Sequence, residues 1–138
     1  MTDSHPERNA ELVETYLDAA WNDGDFDATF VSRDFRAHVN RWDDHYTFDD
    51  LRRFGTEMLA AFSDFELDFD DVIPTESKVT VRYNWTGIQT GEFQGISPSE
   101  NEVRVNGIAI YVVDDRITDS WYVEDLFGLY RQIGEFPR

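Results

Sequence analysis

The hydrophobic period of this chain changes once, from 3.6 residues to 2 near Asp64, and that change sets the order of everything else. Upstream, Leu12, Val13, Tyr16, Leu17, Ala20 and Trp21 recur at helical spacing. Ser4 and Glu7 around Pro6 form a start signal, and Asn22-Asp23-Gly24-Asp25 a stop. Asp25 is placed to cap a short helix over Phe26 to Val31, and Phe35 to Val39 fits a short strand. Thr47 with Asp50 opens a third helix, whose stripe is Leu51, Phe54, Met58, Leu59 and Phe62. Downstream, Phe65, Leu67 and Phe69 alternate with acidic residues, and Val79, Val81, Tyr83 and Trp85 alternate with polar ones after the Pro74 to Ser77 turn. Val103 to Val113 is apolar at both parities in its second half, as a central strand is. A final strand puts Ile117, Asp119, Trp121, Val123 and Asp125 on one face.

Helices first and meandering strands afterwards predict an α+β domain spanning residues 1–138, with a curved antiparallel sheet wrapped around the helical stripes. A sheet twisted in that way makes a cone whose open end can hold a small organic molecule. A doubly wound nucleotide-binding sheet is not expected, given the lack of alternating βαβ units. The chain has no cysteine, so disulfides, thiolate metal sites and thiol nucleophiles are excluded.

Charge narrows the partners. With 29 acidic and 12 basic residues, the formal net charge is -17, which repels nucleic acid and anionic membranes. Lys78 is the only lysine, and the other cations are arginine. This reads as halophilic adaptation to a salt-rich cytoplasm, where a Debye length of about 3 Å screens the self-repulsion. The N-terminal residues lack the layout of a secretory signal, and no apolar run is long enough to span a bilayer, which points to a cytoplasmic protein. The 21 aromatic residues argue against disorder.

Trp21-Asn22-Asp23-Gly24-Asp25, Phe62-Ser63-Asp64, the stretch from Gly87 to Ile96, Asn106-Gly107-Ile108, and the stretch from Trp121 to Gly134 follow one another in an order that resembles the SnoaL-like polyketide cyclases. These are also called ester cyclases, and they share the NTF2-like, cystatin-like cone. The resemblance runs from about Trp21 to Gly134. It implies an intramolecular aldol closure of a polyketide ester with no cofactor and no metal, and a homodimer paired through the open sheet face. It also matches the general acid and base of the characterised relatives to Asp125. Two positions depart from the family pattern: Gln89 stands where relatives usually have histidine, and Asn40 where they usually have a proline after the residue matching His38. Gln89 cannot exchange a proton near neutral pH.

Read by strand parity, Asp125 projects inward beside Trp121, where burial would raise its pKa; immediately before Leu126 to Arg131 it is equally placed to cap a helix, which would lower it. Asp119 shares that face but lies ~20 Å away along the strand, too far to pair with it. Tyr83, Trp85, Tyr111 and Trp121 are candidates to line an aromatic pocket or to form plain core. Gln89 continues the inward parity of Trp85, either as a hydrogen-bonding group for a ligand carbonyl or at the rim. His38 fits the pocket mouth or a solvated strand end. His38 and His45 with Asp43 and Asp44 match no metal-binding spacing. The expected ligand is a small hydrophobic or aromatic carbonyl compound. A non-catalytic ligand-binding or dimerisation domain is the alternative.

Overall fold

The computed structural model describes residues 5–39 and 45–134. Helix α1 (His5–Leu17) runs into a π-helical turn at Asp18–Asn22, and strand β1 (Val31–Val39) follows a 3-10 turn at Ala28–Phe30. Helix α2 (Phe48–Ala61) then leads into β2 (Phe62–Pro74), β3 (Lys78–Gln89), β4 (Glu102–Asp114) and β5 (Arg116–Glu124), and α3 (Leu126–Gln132) closes the chain. The sheet order is β1-β5-β4-β3-β2. The expected α+β cone with segregated helices is therefore present. Its sheet is mixed rather than wholly antiparallel, because β1 lies parallel to β5. The second helix expected over Phe26 to Val31 shrinks to the 3-10 turn, capped by Asp27 rather than Asp25. Ser4, Asn40, Asp43 and Asp44 lie outside the described residues, as does half of the start signal built on Ser4.

The start of α2 follows its sequence signal closely. Thr47 Oγ1 accepts from the Asp50 backbone N–H while the Asp50 carboxylate accepts from the Thr47 N–H, so two helix-end donors are satisfied reciprocally. Leu51 and Met58 of the expected α2 stripe, together with Ala61, join Val13, Tyr16 and Leu17 of α1 against the concave face of the sheet. That face is built by Val79, Val81 and Trp85 of β3, Val103 and Val105 of β4, and Ile117 of β5, all nearly inaccessible.

The π-helical turn inserts one extra residue at the end of α1, and such insertions re-aim the side chains that follow. Here Trp21 is turned toward β2 and lies 5.6 Å from the Phe65 ring and 5.2 Å from Phe26. Asn22 anchors the turn to the sheet: its side chain accepts from Leu67 N at 2.7 Å and donates to Leu67 O at 3.1 Å, in the manner of a strand partner.

The last strand departs from simple alternation. From Gly107↔Glu124 to Val112↔Asp119 the β4–β5 pairs follow one register, and at Val113↔Ile117 the register has shifted, leaving Thr118 as an extra residue in β5. A bulge of this kind moves every side chain beyond it to the opposite face. Ile117 faces inward as expected, but Ser120, Tyr122 and Glu124 then face the helices, while Trp121 and Val123 face outward at 45% and 66% exposure.

Candidate active site

Between the helices and the concave sheet lies a recess of about 650 Å³, mouth included, of which about 50 Å³ admits the centre of a water molecule. That free space is well below the few hundred Å³ usual for small-molecule sites. The interior is constricted, so a ring-sized ligand enters with movement of the lining side chains. The helical wall comes from Tyr16, Leu17 and Trp21 and from Leu51, Phe54 and Met58; the sheet wall comes from all strands except β1. Most of this lining is apolar or aromatic, and its polar side-chain groups are hydroxyls, the indole N–H groups of Trp21 and Trp85 and, among the described residues, a single carboxyl group, that of Glu124.

Glu124 stands at the end of β5 with its side chain turned into the recess. Tyr83 donates its phenolic O–H to Glu124 Oε1 at 2.9 Å. Burial pushes the Glu124 pKa above the ordinary carboxyl value, and the Tyr83 hydrogen bond, with a smaller effect from the Trp85 indole, favours the charged form and only partly opposes that rise. The phenols of Tyr16, Tyr83, Tyr111 and Tyr122 are all pushed up by desolvation, the last three also by the Glu124 charge, so they stay protonated as donors. A single carboxyl of raised pKa inside a ring of phenols can take a proton from carbon acids and return it to oxygen.

The family model for SnoaL-like polyketide cyclases matches residues 11–133. The chain belongs to this family. No curated protein matches it. Among solved structures, a candidate SnoaL-like polyketide cyclase from Jannaschia sp. CCS1 superposes with a TM-score of 0.85 at 22% identity, over 99% of each chain. TsrD from Streptomyces laurentii gives 0.80 at 26% identity, over 97% of this chain and 98% of its own. AclR from Streptomyces galilaeus, a candidate hydroxylase, gives 0.82 at 23% identity, over 95% and 88%. At such identities the superpositions establish the shared fold.

Within this SnoaL-like domain the expected site residues separate into two groups. Tyr83, Trp85 and Tyr111 line the recess. Asp125, Trp121, His38 and Gln89 do not. Asp125 is exposed, and its carboxylate accepts from Gly128 N at 2.8 Å as the cap of α3, so of its two expected roles the structure gives it the cap. The bulge at Thr118 is the physical reason: it hands the inward position to the preceding residue, Glu124. The same shift carries Trp121 to the outer face, where its ring stacks on His38 at 4.6 Å and 7°. His38 in turn lies 3.4 Å from Asp119 Oδ1, which Arg36 also approaches at 3.4 Å. These four side chains form an outer-face cluster away from the recess lining.

Gln89 does face inward, but its side chain is spent on the chain itself. Its Nε2 donates to Gly91 O and Ile96 O at 3.3 and 3.2 Å, and its Oε1 accepts from Ser99 N at 2.9 Å. Backbone bonds to Asn101 O and from Glu100 N complete a clamp that folds the Gly91 to Asn101 connection back on the strand end. Fully buried and outside the recess lining, it holds a loop. Among the described residues no group of three His, Asp or Glu side chains is arranged to hold a metal ion.

Glu124 itself was missed because its parity was counted from Ile117 through an unseen bulge. A signal was present in the sequence: Tyr122 and Glu124 make a poor outer face beside two apolar residues, Trp121 and Val123, and a one-residue slip exchanges the two sets.

Proposed function

We propose that this domain is a small-molecule enzyme that performs acid–base chemistry on a carbonyl compound, most simply a cofactor-independent intramolecular aldol closure of the ester-cyclase type, with Glu124 as the acid–base group. The observation that carries this reading is one carboxyl of raised pKa, facing an aromatic recess and held by a phenol. Ionised Glu124 removes a proton alpha to a carbonyl, and the electron pair passes to the carbonyl oxygen as an enolate. The enolate carbon attacks a second carbonyl carbon of the same molecule, forming the new C–C bond. The resulting alkoxide takes the proton back from the Glu124 carboxyl, so the product is an isomer of the substrate and the enzyme is restored. Tyr83, Trp85 and Tyr111 hold the ligand ring and its oxygens, at positions where ring faces and hydroxyls meet. The ligand is a small hydrophobic or aromatic carbonyl compound, since a carboxyl inside and a net charge of -17 outside disfavour an anion.

Hydrogen–deuterium exchange at the alpha carbon of methyl benzoylacetate in D2O tests the first step without knowledge of the natural substrate. Exchange faster with the wild type than with Glu124→Gln supports the reading; equal rates with the two proteins overturn it. AclR supports a second reading, in which the same cavity hosts hydroxylation. Product mass separates the two, because cyclisation leaves the mass unchanged and hydroxylation adds one oxygen.

In the same reading, two copies pair through the outer sheet face. Ile108 and Ile110 on β4 lie opposite Val123 and Trp121 on β5, giving a contiguous apolar patch that a partner copy would cover. Arg82 on β3 is paired with Ile108 across the strands, and at the border of the patch its guanidinium is held by Asp71 at 2.6 Å with Asp70 at 3.8 Å.

A further inference from the structure

We propose that Gly107 is a positioning residue of the site: its missing side chain is the gap through which the Tyr83 phenol crosses β4 to reach Glu124. The cross-strand register places Tyr83 on β3 opposite Gly107 on β4, and Gly107 opposite Glu124 on β5. Three adjacent strands span about 10 Å, so a tyrosine on the first and a glutamate on the third meet only by lying over the residue between them. A methyl group at position 107 would stand 2.5 Å from both Cζ and Oη of Tyr83. That is closer than a packed contact allows, and the obstructed atom is the hydroxyl oxygen that donates to Glu124 Oε1 at 2.9 Å. Local chain conformation does not call for glycine here, since Gly107 is absent from the residues of positive φ. Within a strand, glycine weakens pairing and marks a close approach. The close approach is that of the phenol.

This inference rests on the reading of Glu124 as the acid–base group, but its contact can be tested without turnover. Among the described residues Glu124 is the single carboxyl lining the recess, and the phenols facing it, those of Tyr83, Tyr111 and Tyr122, are held protonated well above its range. The Tyr83 hydrogen bond favours the ionised carboxyl, so losing it moves the Glu124 midpoint upward.

The experiment is a carbon-13 NMR titration of the Glu124 side-chain carboxyl in the wild type, Gly107→Ala and Tyr83→Phe. The expected result is an upward shift of the midpoint in both variants, with that of Gly107→Ala approaching that of Tyr83→Phe. A double variant carrying both substitutions should shift little beyond Tyr83→Phe alone, because both act through one hydroxyl. A folded Gly107→Ala whose midpoint stays at the wild-type value overturns the proposal. Should Gly107→Ala fail to fold, the double variant Gly107→Ala with Tyr83→Leu, in which the ring that the methyl group meets is gone, decides: recovery of the fold upholds the proposal and failure to fold overturns it, as does an unmoved midpoint in Tyr83→Phe, since there would be no bond for Gly107 to permit. Turnover lost with the titration as expected upholds the positioning role; loss of the deuterium exchange difference between wild type and Glu124→Gln tells only against the acid–base reading.

Discussion

The two faces of β5 carry opposite chemistry on alternate residues. Inward stand Ser120, Tyr122 and Glu124, which can hydrogen-bond; outward stand Trp121 and Val123, which cannot be left in water at no cost. In most half-buried strands the apolar set faces in and the polar set out. The inversion here shows that the strand answers to two partners at once: a cavity that needs polar atoms, and an outer face whose apolar residues adjoin those of β4. One extra residue at Thr118 is the whole device that assigns the two sets to their faces.

Substituting the adjacent carboxylates Glu124 and Asp125 breaks this comparison most directly. Glu124→Gln should lower alpha-proton exchange by about 100- to 10,000-fold, the usual worth of a positioned acid–base group. Asp125→Asn should leave the exchange rate near that of the wild type, because its carboxylate is turned to the Gly128 N–H. The reverse outcome would place the chemistry on the outward side of the bulge.

Stability sharpens the same contrast with a definite sign. Glu124 has a folded pKa raised by burial above the ordinary 4.5, so between the unfolded and folded values the native state holds the extra proton. Its favourable contribution is fully present below the unfolded value and is lost as pH rises through the folded one. Glu124→Gln should therefore unfold at a higher temperature than the wild type at pH 8, and that advantage should shrink toward pH 4.5 in a thermal denaturation series. A carboxyl retained at such a cost to stability is what a functional site looks like.

Gln89 supplies the next comparison, between a residue that lines the recess and one that merely points the same way. Removing its side chain by Gln89→Ala takes the side-chain partner from Gly91 O and Ser99 N, while Ile96 O keeps its bond from Phe93 N. Each unsatisfied buried group costs about 1 to 3 kcal/mol, so urea unfolding should report a loss of at least 2 kcal/mol. Exchange measured on the folded fraction should change little. A stable variant with lost exchange would return Gln89 to the ligand.

How much of this was legible in the sequence follows from where regular alternation holds. The period change at Asp64, the Thr47–Asp50 capping box and the inward parity of Tyr83 and Trp85 all depend on near neighbours in the chain, and each is found as read. The parallel seating of β1 against β5 depends on residues some eighty positions apart, Ala37 with Ser120 for example, and nothing local encodes it. The bulge is likewise a property of the β4–β5 pair rather than of β5, so counting from Ile117 put Asp125 inside and Glu124 outside. Gln89 was a different failure: its parity was right, but the loop that consumes its hydrogen bonds returns over the strand end from ten residues on.

The smallest effect on the fold belongs to the outer face. Val123→Arg places a charge on a position 66% exposed, so the stability of a single copy should change by no more than about 0.5 kcal/mol, as for surface positions in general. If two copies pair through the Ile108, Ile110, Trp121 and Val123 patch, the same substitution should shift the mass measured by light scattering from dimer to monomer, because the two introduced arginines, one from each copy, cannot be desolvated cheaply across a two-fold axis. Added potassium chloride works on the wild type in the opposite direction: screening the repulsion between two chains of net charge -17 should raise the dimer fraction, while leaving Val123→Arg monomeric. A wild type that remains monomeric in molar salt would leave Trp121 and Val123 facing water, and the inversion of β5 would then be the work of the cavity alone.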